Sequence, residues 1–127
     1  MAEKRFIVEL GTGIDLHGQD ATKAVCRAVK DDISRSCFCG LVEIVKLGDL
    51  NTMRVDVLAA VPMPAEVQAD AVLSVIPFGQ KELRVIEGGL RAPGMYQPEL
   101  GDKSADVIVA NVAMTVWVGL PEEPQDC

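Results

Sequence analysis

"VIVANVAMTVWVGL", residues 107–120, is the stretch whose reading decides the fold. It is rich in β-branched residues, and both of its alternations are apolar. Successive side chains of a strand point to opposite faces of a sheet. A strand that is apolar on both faces must be covered on both sides, as a central strand is. The run is too short to cross a bilayer as a helix, and it carries Asn111 in its middle. The pattern predicts a strand over 106–118 at the centre of the sheet. Asn111 there needs a hydrogen-bond partner.

The rest of the chain arranges itself around that strand. Residues 5–10 read as a first strand, with Phe6, Val8 and Leu10 on one face and Ile7 and Glu9 on the other. Gly11 and Gly13 are expected to end it. Asp20 is a good N-cap for a helix whose buried stripe is Ala21, Ala24, Val25, Ala28, Val29 and Ile33. That helix should stop near 36–39, with Gly40 as a left-handed cap. Residues 41–47 fit either a short strand or an irregular link. Residues 53–61 alternate as a half-buried strand, and Pro62 and Pro64 close it, Pro64 being well placed to start a helix over 65–75. A third strand over 82–87 ends at Gly88 and Gly89, and 90–103 reads as a long loop.

The order is β-α-β-α-β-β. It predicts a single α+β domain over 1–120, a mixed four-stranded sheet with two helices packed on one face, and a disordered tail over 121–127. Two helices leave the other sheet face bare. Since the last strand is apolar there too, other subunits are expected to cover it.

Composition sets further bounds. A chain of 127 residues is one domain and should bury roughly two-thirds of its unfolded surface. Hydrophobic content of 49% and charged content of 24% argue against disorder. Five aromatic residues leave the core to Val, Leu, Ile, Ala and Met. A net charge of −7 without a basic run argues against nucleic acid and anionic membranes as partners. "MAEKRFIVEL" is broken by charge too early for a signal peptide. The four cysteines, Cys26, Cys37, Cys39 and Cys127, are therefore expected to be reduced and the compartment cytoplasmic.

Two segments carry candidate chemistry. In "VELGTGIDLHGQDATKAV", residues 8–25, a connection longer and more polar than a strand-to-helix turn requires holds Asp15, His17, Asp20 and Lys23. Gly11, Gly13 and Gly18 would let backbone approach a ligand, and the helix N-terminus would favour an anionic group. His17 would transfer a proton, Asp15 would orient it, and Lys23 would hold negative charge. The competing reading has the glycines only turning, His17 bonding a neighbouring loop and Asp20 only capping; for Asp20 capping is the stronger reading. The glycine spacing fits neither a Walker loop nor a dinucleotide fingerprint. Asp15, His17 and Asp20 are suitable ligand types for a divalent ion, yet one histidine and two carboxylates are too few, so no metal or cofactor is expected. Cys37 and Cys39 are one residue apart without a second pair, and read as buried or half-buried thiols closing the helix rather than a zinc site.

The second segment is "EGGLRAPG", residues 87–94. Gly88 and Gly89 could present free N–H groups, Arg91 could hold a carboxylate and Glu87 could act as a base. A bulge and turn with a surface arginine fits equally well. If the two segments form one cleft, they meet across a subunit boundary.

"RFIVELGTGIDLHGQDATKA", "SRSCFCGL", "VPMPAEV", "IPFG" and "VIEGGL" resemble the running pattern of the Lin-type family of small conserved bacterial hypothetical proteins, over about 5–118. The strand order also resembles the fold shared by trimeric chorismate mutases and reactive-intermediate deaminases, which place small-molecule sites between subunits. The ring-opening amidohydrolases of cyanuric acid and barbiturate resemble three such units fused, each with a serine paired to a lysine. Ser34, Ser36, Ser74 and Ser104 match no such pattern, so that chemistry is not carried over. The resemblance implies a homotrimer with a small anionic or cyclic metabolite between subunits. The residues allow acid–base catalysis there, or a noncatalytic binding or interaction module.

Overall fold

A computed structural model describes residues 2–121. Its centre is the expected one. β5 (Asp106–Leu120) is flanked on one side by β1 (Ala2–Asp15) and on the other by β2 (Arg54–Val61), both antiparallel to it. β3 (Gln80–Glu87) then adds parallel to β2. A fifth strand, β4 (Leu90–Pro93), pairs with β5 from Leu90↔Val109 to Pro93↔Asp106. The sheet therefore has five strands rather than four, in the order β1-β5-β2-β3 with β4 on β5.

β4 lies in the segment read as a loop, where Pro93 and Gly94 hid it. Gly88 and Gly89 make it possible. The chain leaves β3 and crosses the end of β2 to reach β5, and there is no room for side chains on the way. A Cβ at Gly88 would lie 2.8 Å from that of Ala60, and one at Gly89 2.1 Å from the Val109 carbonyl oxygen. Gly89 also has a left-handed φ of +66°, which suits glycine.

α1 (Ala21–Ser34) packs Ala21, Ala24, Val25, Ala28 and Val29 onto the sheet. Small side chains on the helix and glycines on the strand let the two backbones approach closely. A Cβ at Gly13 would lie 2.0 Å from the Ala24 carbonyl oxygen, and one at Gly11 2.3 Å from that of Ala28. β1 therefore runs through both glycines to Asp15 instead of ending at them. Its face assignment also changes at its start. A bulge between Arg5 and Ile7 interrupts the alternation. Phe6 consequently packs edge-on against Phe38 at 6.0 Å, while Val8 and Leu10 point away from the helices.

α1 ends at Arg35, whose N–H donates to the Asp32 carbonyl at 3.4 Å, and the Ser36 N–H donates to the Ile33 carbonyl at 3.3 Å. Gly40 is not the left-handed cap; it sits inside a short helix, α2 (Cys39–Glu43), which also takes up the start of 41–47, where a short strand or an irregular link was expected. The helix expected over 65–75 is broken in two: a 3-10 turn at Pro64–Glu66 and then α3 (Ala69–Leu73). The break has a tertiary cause. Thr22 Oγ1 on α1 accepts from the Gln68 N–H at 3.0 Å and donates to the Glu66 carbonyl at 3.3 Å.

The core lies between these helices and one sheet face, where even-numbered residues 108–118 of β5 are buried with Val55, Val57 and Val61 of β2. On the opposite face Val8, Leu10, Ile14 and Ile86 are exposed within the single chain. Asn111 stands on that face and accepts from Thr12 Oγ1 at 3.3 Å. Among the described residues no helix is long and apolar enough to cross a membrane. The expected tail at 121–127 lies outside the described residues apart from residue 121.

Candidate functional site

β1 ends in the buried Asp15, and a tight connection leads from it to α1. Asp15 Oδ2 accepts from the Asp20 N–H at 2.8 Å, and Oδ1 accepts from Arg27 Nη1 at 3.3 Å. Arg27 Nη1 also donates to the Ile14 carbonyl at 2.6 Å. Asp15 thus ties the turn and the helix to the strand end. Asp20 caps α1 as expected, accepting from the Lys23 N–H at 3.1 Å. Gly18, at φ 97°, takes the left-handed turn of the connection.

The group that orients His17 is Asp102, not Asp15. His17 Nδ1 and Asp102 Oδ2 are 2.8 Å apart. Asp102 is buried and accepts three further bonds: from the Gly18 N–H (2.8 Å), the Gln97 N–H (2.8 Å) and Gln19 Nε2 (3.1 Å). Burial acts to raise its pKa, but the bonds from His17, Gln97, Gly18 and Gln19 outweigh it and hold the carboxyl well below the usual range. An ionised carboxylate only accepts, so Nδ1 of His17 carries the proton. In neutral imidazole that leaves Nε2 with a free lone pair, on a side chain that is 31% exposed.

Gln19 holds the partner loop in place. Its Nε2 donates to the Ser104 and Asp106 carbonyls, and its Oε1 accepts from the Lys103 and Ser104 N–H groups. Asp102, Gln19 and Arg27 are the residues the sequence reading missed. The one local signal for Asp102 is its place after Gly101, which takes a left-handed turn.

His17, Lys23 and Arg27 line an open cleft of about 470 Å³, completed by Ile14, Leu16 and Leu100. Gly18 and Asp20 border a neighbouring cleft of about 300 Å³ with Glu66 and Lys103. Gly13 faces α1. Glu87 is exposed, Gly88 and Gly89 are packed at the strand crossover, and Arg91 pairs with Asp106 at 3.1 Å rather than reaching the first loop. Within one chain, then, the geometry unites His17, Lys23 and Arg27 and leaves the 87–91 segment elsewhere. Among the described residues no three His, Cys, Asp or Glu side chains form a metal-holding group. Cys37 and Cys39 are exposed rather than buried, whereas Cys26 is half-buried and its thiol is pushed up by burial, with Lys30 opposing.

The fold and site together define an α+β domain that presents an aspartate-oriented histidine at an open cleft. The model of a family described as "Conserved hypothetical protein (Lin0512_fam)" matches residues 5–116, and the chain belongs to that family. A similar solved structure is the crystal structure of an FtsZ-like protein of unknown function from Nostoc punctiforme PCC 73102. It is 43% identical, with a TM-score of 0.84 over 93% of this chain and 98% of that one. No curated protein matches the chain.

Proposed function

We propose that the protein binds a small anionic or cyclic metabolite at the His17 cleft and moves a proton on it. The observation that carries this is the His17–Asp102 pair at 2.8 Å. A buried carboxylate that fixes the tautomer of a half-exposed imidazole is the arrangement a general base needs. Nε2 takes a proton from the ligand, the imidazolium is stabilised by Asp102, and the same nitrogen returns the proton. Lys23 and Arg27 on the cleft wall supply positive charge for an anionic group. Arg27 is held there by Asp15, which gives Asp15 a positioning role in place of the orienting one.

The cleft is open, and a neighbouring subunit would close it. A homotrimer is supported by the uncovered apolar sheet face and by the resemblance of the strand order to the trimeric chorismate mutase group. Glu87 and Arg91 lie at a different part of the chain, so a contribution from them requires that neighbour. The acidic composition and free thiols support a cytoplasmic setting.

Native mass spectrometry of the purified protein, followed by the denatured sample, tests this reading. A trimer carrying a small mass that is lost on denaturation supports an intersubunit site and identifies the ligand class. A bare monomer overturns it. With that ligand in hand, His17→Ala separates catalysis from binding. An enzyme keeps affinity and loses turnover, whereas a noncatalytic sensor or docking module loses affinity alone.

A further inference from the structure

A second cleft lies at the other end of α1, away from His17. It encloses about 450 Å³, within the usual range for small-molecule sites. Its walls are mostly hydrocarbon: Ile33 in the last turn of α1 and Phe38 after it, Leu50 and Met53 before β2, Ile76 and, from β5, Met114, with Ser36, Cys37 and Cys39 at one side. β1 places Glu9 on this surface, because Glu9 shares the helix-facing side of the strand with Gly11 and Gly13. Glu9 is only 9% exposed, and its Oε1 is buried with no hydrogen-bond partner among the described residues.

Asp32, near the end of α1, stands close by. It is 1% exposed, and neither of its carboxylate oxygens has a partner among the described residues. Burial pushes Asp32 up to about 7; the charges of Glu9 and Asp31 add to this, and Arg35 opposes it. Arg35 does not neutralise the pair. Its guanidinium donates to the Leu10 carbonyl, and to the Asp31 carbonyl (3.2 Å) and carboxylate (3.3 Å). Buried polar groups are normally satisfied, so a carboxylate left open against an apolar cavity marks a place for an incoming donor.

We propose that this cleft binds an organic cation: a protonated primary amine on an alkyl or aryl body. The ammonium donates to Glu9, and the hydrocarbon fills the space between Phe38, Met53, Ile76 and Met114. An anion would meet the Glu9 carboxylate, and among the described residues no Lys or Arg lines the cleft. A neutral hydrophobe would fill the cleft and leave Glu9 Oε1 unpaired. Among the described residues Glu9, Cys37 and Cys39 are not grouped closely enough to hold a metal ion. This site is independent of the His17 cleft and stands or falls separately from the function proposed for it.

Methyl NMR on protein with isotope-labelled methionines tests the proposal, since Met53 and Met114 both line the cleft. The probes are n-hexylamine, protonated at pH 7, and 1-hexanol as its neutral counterpart. The amine should shift both methyl signals saturably and bind at least tenfold more tightly than the alcohol. Glu9→Gln should bring the amine down to the level of the alcohol, with the fold checked by circular dichroism. If that variant does not fold, the tenfold preference measured on the unaltered protein still decides. Equal binding of amine and alcohol, no shift with either, or a folded Glu9→Gln protein that keeps the preference would overturn the assignment.

Discussion

Asp102 grips His17 across 85 residues of chain, Oδ2 to Nδ1 at 2.8 Å, and the same carboxylate accepts the N–H of the next residue, Gly18. One side chain thus fixes both the ring and the backbone of the connection that presents it.

Asp102→Asn is expected to release this grip. The amide can no longer accept from four donors as an anion, so the Nδ1–H tautomer of His17 should give way to a mixture, read from imidazole nitrogen shifts. Stability should fall as well. The Asp102 pKa is depressed on folding, so its contribution is present above the ordinary aspartate value of 3.8 and lost as the pH falls below it. The variant should melt roughly 5 °C or more below the parent at pH 7. The gap should close in strong acid. A constant gap from pH 7 into strong acid would count against the ionised pairing.

Asp32 gives the opposite slope. Its pKa is raised on folding from 3.8 to about 7, so the stability linked to it is complete below pH 4 and lost as the pH rises through 7. Asp32→Asn removes the titration. That variant is expected to match the parent near pH 4 and to melt higher at pH 8, by at least the roughly 3–6 °C that about 1 kcal/mol produces in a domain of this size. Melting curves at the two pH values check it, and a parent protein that gains stability between pH 4 and 8 relative to the variant contradicts it.

Gly13→Ala should be severe. The new Cβ would meet main-chain atoms of α1, 2.0 Å from Ala24 O and 2.3 Å from Ala28 N, and backbone cannot yield as a flexible side chain can. The expected loss is about 3 kcal/mol or more. Gly48→Ala, with nothing within 4 Å of the new Cβ, should stay within about 0.5 kcal/mol. Urea unfolding of the two variants gives the comparison, and a mild Gly13→Ala would mean that α1 can move off β1.

On the proposed trimer, Leu10 is the most informative position of the open sheet face. It is 68% exposed in the single chain and stands beside Ala113, with Leu58 of β2 on that residue's other side. Leu10→Glu should shift sedimentation from trimer to monomer while leaving the circular dichroism unchanged. An unaltered trimer would place the subunit contact elsewhere.

Much of the architecture was legible locally. The double apolar alternation of 107–120 identified the central strand, and the alanine–valine stripe with Asp20 ahead of it identified α1 and its cap. These features depend on periodicity, which a chain carries within a dozen residues. β4 was hidden because four residues ending in proline have no strand signal of their own; pairing with β5 makes them a strand.

His17 stood out in the sequence as the one histidine in a polar, glycine-rich connection, and the sequence by itself also determined the sheet's centre, the main helix and the acidic balance of the chain. The tertiary structure alone decided what surrounds those elements. Asp102 reaches His17 because two distant loops dock, so Asp15, the nearer aspartate, binds the helix instead. Gly11 and Gly13 read as strand breakers when considered singly, yet they continue the strand because α1 presses against them. Glu9 read as one ordinary polar alternation, and it became a buried carboxylate, its Oε1 without a partner among the described residues, only when the helices covered its face. Local pattern specifies which element forms and which side is apolar; the close approach of backbones, and the charges it buries, exist only once the elements have packed.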